Sequence, residues 1–273
     1  AQRAASLLRS GSTHAAMKGL IHTDILLKAL LNASAGLRQP GTRVSHVFLA
    51  DIPAYPKLLA ISDAAVNIAP DLSAKAAILQ HAIDLMASIG VDLPKAAILS
   101  AVETVNPLIS SSLDAAALSV MSHRGQVRGA LVDGPLAFDN AISLKAAEVK
   151  GIASPVAGDA DILLVPDLVS GNILAKNLEY MADATLAGLV LGLNAPIVLP
   201  SRADPVDARL AGLALARLSL AAKARKSAPQ DKAPVWPVHA TRSSPMPEVD
   251  CCPPSDSTPT SPTSLNGGAH AEP

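Results

Sequence analysis

Short aliphatic runs alternate along this chain with longer segments whose apolar residues recur every three or four positions. That alternation predicts parallel α/β units, in which each strand is followed by a helix that covers the sheet. The runs at 44–50, 57–61, 95–100, 127–132, 161–165 and 188–192 read as strands, and helices are expected at 23–35, 73–89, 111–122, 172–186 and 204–222. In the 73–89 segment Ser73 supplies an N-cap, Ile78, Ala82, Leu85 and Ile89 share one face, and Gly90 stops the helix.

After Lys223 the periodicity ends. Residues 223–273 are rich in Pro, Ser, Thr and Ala, with prolines at 229, 234, 237, 245, 247, 253 and 254, so a disordered tail is expected there. The two cysteines, Cys251 and Cys252, are adjacent within it and make neither a disulfide framework nor a metal spacing.

Composition narrows the picture further. With 49% apolar residues in 273, the chain can bury a large core, while 2% aromatics point to small side chains packed tightly between helices and sheet. Lys and Arg together number 22 against 23 Asp and Glu, a balance that gives no electrostatic reason to expect nucleic acid or an anionic membrane as partner. The longest apolar passage, Leu186 to Pro200, is broken by Gly188, Gly192, Asn194 and Pro196 and is too short to span a bilayer. The first residues lack the apolar core of a secretion signal, so a cytoplasmic location is expected. They also lack an initiating Met, which suggests a piece of a longer protein.

Four strand-loop-helix passages carry candidate chemistry, because in open α/β sheets ligands gather at such loops. Met17 to Asp24 offers Lys18 for an anion and Thr23 as a helix cap. Val132 to Asn140 runs from a strand into Asp133-Gly134-Pro135, which turn chemistry explains as readily as function. Val165 to Lys176 places Gly171 and Asn172 at a helix start, where glycine permits close approach of a ligand. Leu199 to Pro205 sets Ser201 and Arg202 before the last helix; guanidinium, hydroxyl and helix N–H groups make a phosphate pocket, unless Ser201 or Asp204 is only a cap and Arg202 lies on the surface. Glu103 reads as a solvated loop carboxylate and His46 as a packed strand histidine. The sequence has no P-loop, no Rossmann glycine fingerprint and no clustered His/Cys metal site.

Taken in order, the passages MKGLIHTDILL (17–27), ISDAAVNIAPDL (61–72), PKAAILSAVETVNP (94–107), LDAAALSVMSHRGQVRGALVDGPLAFDNAIS (113–143), KGIASPVAGDADILLVPDLVSGNILAKNLEYMA (150–182) and PIVLPSRAD (196–204) resemble the phosphate acetyl/butyryltransferase family, over about residues 4–222. The resemblance is to its phosphate butyryltransferase and bifunctional enoyl-CoA hydratase/phosphate acetyltransferase branch. It implies an α/β fold of two αβα domains with an interdomain cleft, related in architecture to isocitrate and isopropylmalate dehydrogenases, and a homodimer. On this comparison residues 1–64 and 200–222 belong to the first domain and 65–199 form the second. A leading segment carried by family members is missing before Ala1.

The implied reaction moves an acetyl or butyryl group between phosphate and coenzyme A, with acyl phosphate, inorganic phosphate and CoA as the partners and no cofactor. By resemblance Ser201 and Arg202 act in oxyanion or thiol hydrogen bonding and in phosphate binding. Asp204 and Asp207 are both available as the base. Lys18, His22, Thr23, Asp133, Asn172 and Lys176 are expected to line the cleft. Two rivals are an NAD- and metal-dependent dehydrogenase of the same architecture and an inactive, truncated relative that serves as a dimerising or CoA-binding module. The first needs a carboxylate cluster for Mg²⁺, which the matching motifs do not supply.

Overall fold

The structure, a computed structural model, describes residues 1–32, 35–38 and 41–227. The expected tail from 228 onward, with Cys251 and Cys252, lies outside the described residues. In chain order the elements are α1 (Gln2–Arg9), β1 (Ala16–Met17), α2 (Thr23–Leu31), β2 (Ser45–Asp51), β3 (Leu59–Ser62), α3 (Leu72–Ser88), β4 (Lys95–Leu99), α4 (Ser110–His123), β5 (Leu131–Leu136), α5 (Phe138–Ile142), α6 (Leu144–Val149), β6 (Ile162–Leu164), α7 (Leu168–Met181), β7 (Thr185–Leu191), β8 (Ile197–Val198) and α8 (Val206–Ser227).

The strands form one eight-stranded sheet in the order β1-β8-β7-β2-β3-β6-β4-β5. β3, β6, β4 and β5 are parallel, as are β1 and β8, whereas β2 is antiparallel to both β3 and β7, and β7 is antiparallel to β8. The direction therefore reverses across the middle of the sheet. Residues leaving β1 and β8 exit at the opposite end from those leaving β3, β4, β5 and β6.

Period-two alternation puts the two faces of the sheet into different cores. Val47, Ala60, Ala96, Ile98, Ile162 and Leu164 pack with Ile78 and Leu79 of α3, Leu118 of α4 and Leu215 of α8. Ala50, Leu59, Ile61, Ala97, Leu99 and Leu163 pack with Ala141, Ala147 and Ala175 of α5, α6 and α7 on the other face. A third cluster, with Leu8, Leu26, Leu30, Val190 and Ile197, fixes α1 and α2 over the β1 edge. Ala60, Ile78 and Leu215 share one cluster, so sheet and core run unbroken across the boundaries expected at 64/65 and 199/200.

Several boundaries differ from the sequence reading. α3 is capped two residues earlier: the cap is Asp71, whose side chain accepts the Ala74 N–H, and not Ser73. α7 begins at Leu168, because Asp167 and Ser170 close a reciprocal capping box, so Gly171 and Asn172 lie inside its first turn. Thr23 does not cap α2; His22 holds that position, with no side-chain cap bond. β5 extends through Asp133-Gly134-Pro135, which was expected to be a turn, and the proline is tolerated because β5 is the sheet's edge strand. Helix α8 continues past the expected tail boundary at 223 to Ser227.

Candidate active site

The shortest strands do the most to build the site. β1 and β8 pair in parallel through Ala16↔Ile197 and Met17↔Val198, and the ladder continues with Lys18 N–H donating to the Val198 carbonyl at 2.9 Å. Lys18 thus leaves the sheet beside the strand that leads to Ser201. α8 is drawn tightly onto β8, since a Cβ on Gly212 would stand 2.5 Å from Val198 Cγ1. Gly188 of β7 serves the other side: a Cβ there would meet His46 Nε2 at 2.9 Å and the Leu199 carbonyl oxygen at 3.1 Å.

Between β8 and α8 the chain makes a compact turn. Ser201 N–H donates to Asp204 Oδ2 at 2.8 Å, and Asp204 N–H returns to the Ser201 carbonyl at 3.3 Å. Arg209, in the first turn of α8, folds back so that Nη2 donates to the Arg202 carbonyl at 3.3 Å. Lys18 is only 6% exposed, and its Nζ donates to the carbonyls of Gly19 at 3.3 Å and Ile21 at 3.5 Å. Burial pulls the Lys18 amine below its ordinary pKa; the positive charge of Arg202 and then that of Arg209 push it the same way, while Asp204 opposes them. The charges of Arg202, Arg209 and Asp204 are thus felt at Lys18, which the β1–β8 pairing brings beside the strand leading to them.

Of the sequence-predicted residues, Lys18, Ser201, Arg202 and Asp204 come together here. Asp207 is exposed in the first turn of α8, and His22 and Thr23 open α2 just after the Lys18 loop. The remaining three are placed elsewhere. Asp133 lies in β5 and accepts its own neighbour's N–H, from Gly134, at 2.9 Å. Asn172 reaches the Ala64 carbonyl at 3.3 Å beyond the end of β3, and Lys176 pairs with Glu179 at 2.5 Å and lies 5.6 Å from the Tyr180 ring. No hydrogen bond or ion pair among the described residues links these three to Lys18 or to the Ser201-Arg202 turn, and β1 and β8 run opposite to β3 and β5.

Sequence reasoning missed Arg209. The signal was available, because a cation in the first turn opposes the helix dipole and calls for a nearby anion. Glu103 is not simply solvated: it accepts from Asn140 Nδ2 at 2.6 Å and Lys150 Nζ at 2.7 Å, and Lys150 also pairs with Asp139 at 2.8 Å. Those contacts hold the Glu103 carboxyl below its usual range, Lys150 contributing most. His46 is packed as expected, wholly buried and edge-on to Phe48 with ring centroids 4.4 Å apart.

A cavity of about 450 Å³ opens between α3, the β7–β8 connection and α8, lined by His81, Asp84, Ser88, Asn194 and Lys223 among others. None of the predicted site residues lines it. Among the described residues no group of His, Cys, Asp and Glu is placed to hold a metal ion, and no helix is long and apolar enough to cross a membrane.

Residues 1–216 match the model of the family described as phosphate acetyl/butaryl transferase. The chain belongs to that family. It is 54% identical over 218 residues to a phosphate acetyltransferase of Rhizobium meliloti, an alignment covering 80% of this chain and 69% of that protein. It is 50% identical over 200 residues to a probable phosphate butyryltransferase of Bacillus subtilis strain 168, covering 73% of this chain and 67% of the relative. Against the phosphate acetyltransferase of Rickettsia prowazekii the chain spans 62% of the relative's length. The fold is shared with a crystal structure of a branched-chain phosphotransacylase from Enterococcus faecalis V583, at a TM-score of 0.73 and 35% identity over 80% of this chain and 78% of that one. This family member thus places its Ser-Arg pair in a turn shaped by Asp204 and Arg209, just after the strand that pairs with the one leading to a buried lysine.

Proposed function

We propose that this chain transfers an acetyl or butyryl group between inorganic phosphate and coenzyme A. The observation that carries this reading is the Ser201-Arg202 turn at the start of α8, held by Asp204 on one side and Arg209 on the other, with Lys18 leaving the neighbouring strand. Such a place suits a phosphate group, because guanidinium and N–H donors match its oxygens and the helix dipole favours negative charge.

In the reaction the CoA sulfur attacks the carbonyl carbon of the acyl phosphate. The C–S bond forms, the C–O bond to phosphate breaks with its electron pair leaving on phosphate, and the thiol proton passes to a base. A free thiol has pKa about 8.5, so a nearby carboxylate speeds attack by accepting that proton. Asp204 is engaged in holding the Ser201 turn. Asp207, exposed one turn further on, is the carboxylate we assign as base. The Ser201 hydroxyl donates to the developing oxyanion, and Arg202 holds the phosphate as it departs. Coenzyme A enters as a substrate, and no cofactor is assigned. A thiol substrate fits the reducing cytoplasm, where we place the activity.

The homodimer is part of the same proposal. Val169, Ile173 and Tyr180 are at least 60% exposed and recur along one face of α7, with Ile68, 74% exposed, beside the helix start. An apolar stripe of this kind is what a second copy would cover.

The deciding experiment measures CoA-dependent phosphate release from acetyl phosphate and butyryl phosphate. Release that requires CoA supports the reading, and comparison of the two rates fixes the acyl preference. Absence of release from both, with the chain folded, would favour the inactive module, and thermal stabilisation by CoA would then separate a CoA-binding module from a dimerising one.

A further inference from the structure

The transfer reaction as proposed uses Arg202 for phosphate, yet Arg202 is exposed on a turn, and a flexible guanidinium there would lose much of its binding energy to ordering. The structure shows what fixes the backbone from which that guanidinium extends. Arg209 Nη2 donates to the Arg202 carbonyl at 3.3 Å, while Asp204 fixes the other side of the turn through Ser201 N–H. Arg209 Nε is itself buried without an acceptor among the described residues. A guanidinium with a desolvated, unanswered N–H in the first turn of a helix, close to two further cations, is an unfavourable arrangement in the absence of an anion. Asp204 offsets part of the charge felt at Lys18, and its Oδ2 is occupied by the turn.

We propose that Arg209 is the positioning residue of the phosphate site, locking Arg202 by its carbonyl and adding the positive charge that a phosphate dianion neutralises. This rests on the acyl-transfer reading and extends it to a residue outside the Ser-Arg pair. The role predicts selectivity for one substrate. Phosphate and acyl phosphate should depend on Arg209, and CoA should not, because the residue acts on the turn that meets the phosphoryl group.

The test uses the full chain in the acyl-CoA plus phosphate direction, with KM for phosphate and KM for CoA (the latter in the reverse direction) determined for wild type, Arg209→Met and Arg209→Lys. The expected result is a phosphate KM raised about tenfold or more in Arg209→Met, partial rescue in Arg209→Lys, and a CoA KM within about twofold of wild type. Melting temperature is followed alongside. An unchanged phosphate KM in Arg209→Met, or equal increases for both substrates, overturns the inference while leaving the acyl-transfer reading intact. If Arg209→Met fails to fold, Arg209→Lys decides: a wild-type phosphate KM in that variant overturns the proposal, because lysine keeps the charge but loses the guanidinium Nη2 that holds the carbonyl. A wild-type chain that neither turns over nor binds inorganic phosphate in calorimetry removes the functional reading and this inference together.

Discussion

Lys18 donates its backbone N–H to the carbonyl of Val198 at 2.9 Å, joining the two ends of the sheet-forming chain at one point. Two strands of two residues each are enough to bring the loop of the buried Lys18 beside the strand that leads to Ser201 and Arg202. Most of the site depends on that single parallel pairing.

Replacing Lys18 by Met should separate function from stability. Activity should fall roughly ten- to a hundredfold, through loss of a charged donor near the phosphate. Because the folded-state pKa of Lys18 is lowered, chiefly by burial, the folded protein binds fewer protons at this group than the unfolded chain in the pH range just below 10.5. The lysine therefore costs stability below its folded pKa, and the cost disappears as pH rises through the window. Denaturant melts from pH 7 to pH 10.5 should show wild type gaining on Lys18→Met; a pH-independent difference would contradict this.

His46 provides a second pH signature. Burial pushes its pKa down from 6.5 to about 4, against a smaller opposing pull from Asp63. The stabilisation of a neutral buried imidazole is present above pH 6.5 and is lost as pH falls toward 4, on the order of 2–3 kcal/mol over the whole window. In His46→Leu the acid-side loss between those pH values should shrink by that amount, measured by urea unfolding. Parallel stability curves for the two proteins would show that His46 does not titrate in this way.

Gly134 tests packing at the edge strand. A Cβ there would stand 2.8 Å from both Cβ and the carbonyl oxygen of Ile98, and 3.2 Å from Ala115 Cβ. Gly134→Ala should destabilise by about 1–3 kcal/mol and lower the melting temperature by several degrees. A melting temperature equal to wild type would mean that β4 and β5 can separate freely.

The sequence carried the α/β alternation and the Lys18, Ser201 and Arg202 positions because each sits where a strand ends and a helix begins, a pattern visible in local periodicity. β1 and β8 were illegible, since two residues show no period. The start of α7 was misplaced because Gly171 looked like the ligand-facing turn while the capping signal lay one and four residues earlier, in Ser170 and Asp167. Asp133, Asn172 and Lys176 lie on strands and helices beyond the antiparallel pairings of β2, a long-range arrangement that local patterns do not encode. Arg209 became readable only once α8 was known to begin at Val206.

The α7 stripe makes a prediction about assembly. Ile173→Glu puts a charge on the face proposed to meet a second copy and should weaken dimerisation by on the order of 2 kcal/mol, roughly thirtyfold. Sedimentation velocity across a concentration series reads this directly. A wild-type monomer, or a variant that dimerises as tightly as wild type, would rule out α7 as the interface.

The most direct test of the account is CoA-dependent release of phosphate from acetyl and butyryl phosphate, run side by side for wild type, Arg202→Lys and Arg202→Ala. The account predicts turnover by wild type, a loss in Arg202→Lys, and a larger loss of about ten- to a hundredfold in Arg202→Ala, with melting temperatures unchanged. Equal rates in all three proteins would contradict it, because Arg202 would then be only a surface residue beside a helix cap.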